Sequence, residues 1–390
     1  MTYFRFKFWG LITAYALLLP YCCCSEDRKG QERGLTASLA FLAADIKYTW
    51  DEGVKICEIQ SGSSSTFEGY DFVMGEEGLF AKRLCDAFTA HTPRMWFRPS
   101  KVLDLKLKAE FLRRGYKPVK HVISLAGDEA FLAEASQQLK HPGSLSSYQG
   151  FYYASKMSSE EICQFKRAYP SILIVDEMVM PYLDDKLAMT RLFSEEELRP
   201  FKPRWGSYPK HYSDKLAEKI KREIGGDLFV IKPRRAALGR GVIITDRQGL
   251  DQVLRKILLS KRSELLSSGV LEYQHWAIDK SDCFLVEEFS RGEIIPVAHM
   301  GNRKFDTNVR VLFLLAYNDG LVQVEYISAH ISIPRIAIDE KGTLTERHKS
   351  YTEPPFFLAV PDEMLEEVIK GLDRMLPLLY RKMAEASGSP

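Results

Sequence analysis

Polar and apolar residues alternate from Asp45 to Trp50 and again from Val54 to Gln60, on either side of Asp51-Glu52-Gly53, which predicts a half-buried β-hairpin. A small-residue loop over 61–66 follows, and Leu79, Phe80, Leu84 and Phe88 then recur at helical spacing within 78–91. Between about 95 and 180, short apolar runs (121–126, 152–153 and 171–175) alternate with helical stretches such as 128–139, the pattern of a small α/β layer. Beyond Asp185 the pattern predicts helices over 187–198 and 212–223, strands over 228–233 and 242–245, and a helix over 250–266. Strands over 284–289 and 309–315 follow, the latter with a hairpin partner over 321–327, and an amphipathic helix over 362–383 closes the chain. No internal repeat is visible.

The N-terminus departs from this pattern. Arg5 and Lys7 precede an apolar run from Phe8 to Cys24, broken only by Gly10, Thr13 and Pro20, which reads as a secretory signal or a short anchor of marginal length for a bilayer. Cys22, Cys23 and Cys24 at its end are candidates for acylation and peripheral membrane attachment; the bland alternative is a misassigned start. Composition changes the picture little. A chain of 390 residues with 45% hydrophobic and 27% charged residues is that of a folded protein of two or three sub-domains. Fifty-four basic against 52 acidic side chains leave +2, without the basic excess of a nucleic-acid binder. Cys57, Cys85, Cys163 and Cys283 are scattered without Cys-x-x-Cys spacing, so they read as reduced thiols of a cytosolic domain, not zinc ligands.

Several constellations could carry chemistry. Lys232 ends an apolar strand before the Gly239-Arg240-Gly241 turn, with Arg234 and Arg235 nearby; a lysine and close-approaching backbone N–H groups there suit phosphate, although Gly-x-Gly after a strand is common in plain turns. Glu287 and Glu288 interrupt an apolar strand and point to opposite faces, as a solvated edge or as a nucleotide hinge. Glu58 and Gln60 share a strand face, and Asp45 stands opposite Glu58 if the turn is Asp51-Glu52, or opposite Gln60 if it is Glu52-Gly53. A three-residue turn would put Ile59 there instead. Two carboxylates and an amide oxygen suit Mg²⁺, while the bland reading is a solvent-facing hairpin. Asp306 and Arg310, four apart, are a default salt bridge or an anion anchor alongside Arg303, Lys304 and Arg335. His121, His299 and His330 stand in no nucleophile pattern and read as structural, with His330 the one candidate for a substrate pocket.

Together these pieces resemble the ATP-grasp ligases. The order Asp185-Lys186, Phe229-Val-Ile-Lys232-Pro with Gly239-Arg240-Gly241, Leu285-Val-Glu287-Glu288-Phe with Gly292-Glu293, and Arg303-Lys-Phe-Asp306 with Arg310 is similar to that superfamily's nucleotide core. Its usual closing metal element is missing after Arg310 and looks instead like the N-terminal hairpin Asp45 to Gln60, with Gln60 in place of an asparagine. The chain therefore resembles a circularly permuted member of the type of the glutathionylspermidine synthetase group, over about 40 to 335.

The resemblance implies an α/β (α+β) fold: a signal- or anchor-like segment (1–34), a metal hairpin and helix (35–92), a small pre-ATP-grasp α/β domain (93–183) and the nucleotide core with its C-terminal helix (184–390). It implies ATP and Mg²⁺ as cofactors, and ligation of a small-molecule or peptide carboxylate to an amine through an acylphosphate. Lys186 and Lys232 would be the phosphate-contacting lysines, with Gly239, Arg240, Gly241, Glu287, Glu288 and Glu293 as further nucleotide contacts. Arg310 and Lys232 would be catalytic, and Asp45, Glu58 and Gln60 the metal ligands. A kinase on the same scaffold and a nucleotide-binding module without catalysis are the alternatives. A catalytic domain that consumes ATP is expected in the cytosol, with the apolar segment as peripheral anchor or misassigned start. A clustered acidic site repels itself without its cation, so loss of one ligand is expected to leave stability nearly intact.

Overall fold

The computed structural model describes residues 36–388 apart from 63–66, 93, 100–103, 120–128, 155–156, 184 and 237–238. The apolar run Phe8–Cys24, His121 and the strand expected over 121–126 lie outside the described residues. Among the described residues no helix is long and apolar enough to cross a membrane.

The mixed α/β class is as expected. The largest sheet is antiparallel and joins both ends of the chain, in the order Phe357–Leu358, Leu321–Ser332, Asn308–Asn318, Ser38–Thr49, Gly53–Ser61. Ser38–Thr49, the strand beside the central one, is apolar on both faces over its first half because both are covered. On one face Ala40, Leu42, Ala44, Ile46 and Tyr48 pack with Met364, Val368, Leu372, Leu376 and Leu379 of the helix Asp362–Gly388. On the other, Leu39, Phe41 and Ala43 pack with Phe80, Leu84 and Phe88 of the helix Leu79–His91.

That second face changes character along the strand. Leu39, Phe41 and Ala43 are followed by Asp45 and Lys47, and in the neighbouring strand Leu314 and Leu312 are followed by Arg310 and Asn308. The apolar half is covered by a helix; the polar half faces a second sheet.

This second sheet, also antiparallel, runs Trp205–Pro209, Cys283–Glu288, Leu228–Pro233, Ile243–Asp246. Phe229, Ile231, Phe284 and Val286 point into a core with Ile220, Ile224, Leu250 and Leu254 from the helices Leu216–Ile224 and Leu250–Leu259. Strand alternation then turns Lys232 and Glu287 toward the first sheet. A third, parallel sheet (Lys117–Pro118, Met95–Phe97, Gly150–Tyr153, Ile172–Ile174) has its own small aromatic core around Trp96, Phe131, Tyr152 and Phe165.

The expected elements differ mainly at their ends. The helix foreseen over 250–266 is two, Leu250–Leu259 and Arg262–Leu266, because Ser260 leaves the helical region at φ −66°, ψ 143°. The strand Trp205–Pro209 and the helix Leu271–Ile278 were not foreseen; Gly206 and Pro209 mask the first, and a continuous apolar–polar mix masks the second.

Candidate functional site between the two antiparallel sheets

The hairpin turns through three residues, Trp50 to Glu52, with Thr49 paired to Gly53 at φ 68°. Neither of the two-residue turns considered from sequence forms; the turn has three residues, one position earlier than the 51–53 turn that would set Ile59 opposite Asp45. By counting alone such a turn sets Cys57 opposite Asp45, yet Glu58 stands there, because Cys57 is the extra residue of a β-bulge between Asp45–Glu58 and Ile46–Ile56. The bulge also reverses the alternation, so that Ile56 and Ile59 both reach the core while Glu58 and Gln60 share Asp45's face.

Asp45 is held on two sides. Arg310, its partner in the other neighbouring strand, donates through Nε to Oδ1 (2.7 Å) and through Nη2 to Oδ2 (2.9 Å), and Gln60 Nε2 donates to Oδ2 (3.3 Å). Burial pushes the Asp45 carboxyl up, and Arg310 outweighs it, leaving the group below the ordinary carboxylate range. Glu58 pairs with Lys186, the first residue of the helix Lys186–Leu192. The N-cap of that helix is Asp185, which accepts from Leu187 N and Ala188 N and is gripped by Arg234 Nε and Nη2. The expected acidic cluster is therefore a set of compensated pairs.

On the facing wall Lys232 Nζ donates to Glu287 Oε2 (2.6 Å), and Lys202 Nζ lies 2.9 Å from Glu287 Oε1. Both ammonium groups also donate to the carbonyl of Cys57 (3.1 Å each), so the bulge in one sheet anchors the lysines of the other. Burial pushes Glu287 up, and the two lysines outweigh it and hold it low. Burial likewise drives both lysines down; Glu287 overcomes this for Lys232, which sits above its ordinary value, whereas Lys202, also repelled by Lys232, sits below.

A third group closes the end of the cleft. Buried Asp306 accepts from Lys47 Nζ (2.9 Å) and Gly292 N (2.7 Å), and its Oδ2 lies 2.7 Å from His348 Nδ1. The local Asp306–Arg310 pair considered from sequence does not form; Arg310 pairs with Asp45 on the neighbouring strand, and Asp306 with Lys47 of the other sheet.

Between these walls lies a cavity of about 280 Å³, lined by Asp45, Glu58, Gln60 and Arg310 from the hairpin sheet and by Lys232, Gly239, Glu287 and Glu288 from the other. Lys186 borders a smaller adjoining cavity with Glu58, Lys202 and Lys232. Three expected contacts stand elsewhere. Arg240 is exposed on its turn; Gly241 (φ 74°) is packed against Pro233 and accepts Trp276 Nε1 on its carbonyl; and Glu293 caps the hairpin loop by accepting Trp50 N. His330 is fully buried against Gly69 and Phe357, both ring nitrogens lacking a hydrogen-bond partner.

Sequence reasoning missed Lys47, Lys202, His348 and Lys349. Lys47 was legible in principle, being two residues from Asp45 on the same face. Lys202 sits in the irregular segment after Arg199–Phe201, with no marking pattern, whereas His348 ends the short helix Leu344–His348 and Lys349 is its C-cap, a helix whose Thr343/Glu346 capping box was the one signal available. Among the described residues, no group of three or more His, Cys, Asp or Glu side chains is arranged to hold a metal ion. A divalent cation would rest on Asp45 and Glu58 with Gln60 beside them, hard oxygen donors of the type Mg²⁺ takes, completed by phosphate oxygens.

Two antiparallel sheets thus close on a lysine-lined cleft. No protein-family model matches the chain, and no curated protein does. Among solved structures it is similar to a protein of Methylobacillus flagellatus provisionally named gamma-glutamylcysteine synthetase (9% identity, 91% of each chain covered, TM-score 0.46). It is also similar to a glutathione synthetase-like effector of Globodera pallida (11% identity, 76% of this chain and 73% of the other, TM-score 0.37) and to the D-cycloserine synthetase DcsG (13% identity, 75% and 80%, TM-score 0.33).

Proposed function

We propose that the chain is an ATP-dependent carboxylate–amine ligase of ATP-grasp type, with its metal hairpin moved to the N-terminal side by circular permutation. One observation carries the reading. The Cys57 carbonyl, in the hairpin that bears Asp45 and Glu58, receives Lys202 and Lys232, so a polyanion between the sheets would meet ammonium groups and carboxylates within one cavity.

In the proposed reaction a substrate carboxylate oxygen attacks the γ-phosphorus of ATP, the bond to the β–γ bridging oxygen breaks, and ADP leaves. The amine then attacks the acyl carbon, losing a proton, and inorganic phosphate departs as the amide forms. Mg²⁺, when bound, would neutralise phosphate charge. Lys232 and Lys202, pre-positioned on Glu287, would stabilise charge developing on the phosphoryl oxygens. Glu58 and Asp45 would supply oxygen ligands once Lys186 and Arg310 turn toward phosphate or acylphosphate oxygens, and Glu288 and Gly239 would bound the nucleotide. Segments 35–92, 93–183 and 184–390 would act as hairpin, small α/β domain and nucleotide core.

The ion pairing of both carboxylates, with Gln60 donating to Asp45, favours one second reading: a module that binds nucleotide without turnover. The test is phosphate release from Mg-ATP by a protein starting near residue 35, across panels of carboxylates and amines. Release that needs both partners supports the ligase. Phosphate retained on the carboxylate or another acceptor without an amine marks a kinase, and binding without ADP formation marks the silent module.

A further inference from the structure

Residues 343–352 leave the central sheet after the strand Leu321–Ser332 and cross to the facing sheet before returning at Phe357–Leu358. Thr345 Oγ1 accepts from Ile244 N (3.0 Å) in the last strand of that sheet, and His348 is held by Asp306. Directly after these two anchors the strap carries Lys349 into the wall of the cavity. Its side chain lies against the glycine turn: a Cβ built on Gly239 would stand 3.1 Å from Lys349 Cε and 3.9 Å from Nζ. The ammonium ends 2.8 Å from Glu272 Oε1, in the helix Leu271–Ile278.

A cation beside a backbone turn with two positive-φ glycines, in a cavity already holding Lys232, is placed for phosphate, and its present partner is one partly exposed carboxylate. A polyphosphate carrying three or four negative charges outcompetes such a pair electrostatically. Resting on the nucleotide-binding reading above, we propose that Lys349 is a phosphate-binding residue delivered by the strap, parked on Glu272 until the polyphosphate of a nucleotide replaces that carboxylate.

The experiment titrates ATP, ADP and adenosine by calorimetry against the wild-type chain, Lys349→Ala, Lys349→Arg and Glu272→Gln. Lys349→Ala is expected to weaken ATP and ADP binding at least 10-fold and to leave adenosine unchanged, with Lys349→Arg recovering most of the loss. Glu272→Gln is expected to bind ATP as tightly as wild type or tighter. Unchanged ATP affinity in Lys349→Ala, an equal loss for adenosine, no recovery by arginine, or weaker ATP binding in Glu272→Gln overturns the assignment while the ligase reading stands. A wild-type chain that binds none of the three overturns both.

Discussion

Asp45 and Arg310 lie directly opposite one another in neighbouring strands, 265 residues apart along the chain, and close a two-pronged ion pair at 2.7 and 2.9 Å. Both side chains are largely buried, at 14% and 9% exposure, so the pair is shielded from solvent screening. It ties the N-terminal hairpin to the strand Asn308–Asn318 at the point where the shared sheet face turns from apolar core to polar cleft.

This separates the two carboxylates expected to bind metal. Asp45→Asn leaves the Arg310 guanidinium buried without its counter-charge and should cost about 3 kcal/mol. Glu58 is more exposed and has a single flexible lysine partner, so Glu58→Gln should cost no more than about 1 kcal/mol. Urea denaturation of both variants checks the contrast, and equal losses would refute it. The expectation that any one of these ligands could be removed with little loss of stability is thereby restricted to Glu58.

The Lys202–Glu287–Lys232 group makes a second asymmetry. Lys232→Ala removes one charge-assisted contact worth about 1.5–3 kcal/mol to a bound phosphate, and should lower ATP affinity about 10- to 100-fold while Lys202 still neutralises Glu287. Glu287→Gln instead leaves two buried ammonium groups facing each other. It should destabilise the fold by about 3 kcal/mol and drive Lys202, already held low, further toward its neutral form. Thermal unfolding with and without Mg-ATP distinguishes them: the alanine variant melts near wild type but loses its ATP shift, and the glutamine variant melts early in both conditions.

How far the sequence carried this picture depended on locality. The hairpin and the strand Leu228–Pro233 follow from alternation, and the opposition of Asp45 and Glu58 was one of three registers that short-range turn geometry left open. Even there the right pair came by a different route, since the three-residue turn and the Cys57 bulge cancel in register. What stayed hidden was long-range pairing. Arg310 looked like Asp306's partner four residues away, but the two belong to different strands of different sheets, Arg303–Asp306 and Asn308–Asn318, and each meets a charge distant in sequence. Lys202 comes from an irregular segment, and His348 and Lys349 from the end of a five-residue helix too short for its periodicity to report direction. Glu293 matched the family pattern by position, yet it stands just before the strand Ile294–Val297 and accepts from Trp50 N in the hairpin loop.

His330 makes stability sensitive to acid. Burial first, and then the Arg310 charge, push its imidazole down to about 3, with Asp45 alone opposing. Its folded value lies below the unfolded 6.5, so the unfolded chain takes up a proton that the folded one refuses, and stability is lost as pH falls from about 6.5 toward 3. Asp176, buried and raised to about 7, runs the other way, gaining as pH falls from there toward its unfolded value. Comparing wild type with His330→Leu cancels the Asp176 contribution. Between pH 7.5 and 5 the wild type should lose roughly 2 kcal/mol more than the variant in urea denaturation. Parallel losses would show that the folded His330 takes up its proton in this window as the unfolded chain does, and is not held low.

Gly292 and Gly53 are both required as glycine, for different reasons, and their alanine variants should separate them. Gly53 sits at φ 68° with open space around its Cα, so alanine there meets only the backbone penalty of the left-handed region, about 1 kcal/mol, and should leave nucleotide binding alone. Gly292 has no space at all: a Cβ would stand 2.0 Å from the Thr307 carbonyl oxygen and 2.9 Å from its carbon, both backbone atoms that cannot rotate away. Its N–H also donates to Asp306, which holds Lys47 and His348. Gly292→Ala must therefore separate the strand Arg303–Asp306 from the segment before Ile294, at a cost near the upper end of overpacking, about 3 kcal/mol. It should also release His348 from Asp306. Denaturation midpoints give the two costs, and the ¹H–¹⁵N signals of the His348 ring report the release. A Gly292→Ala chain as stable as Gly53→Ala, with His348 unchanged, would mean that Asp306 does not depend on the Gly292 turn.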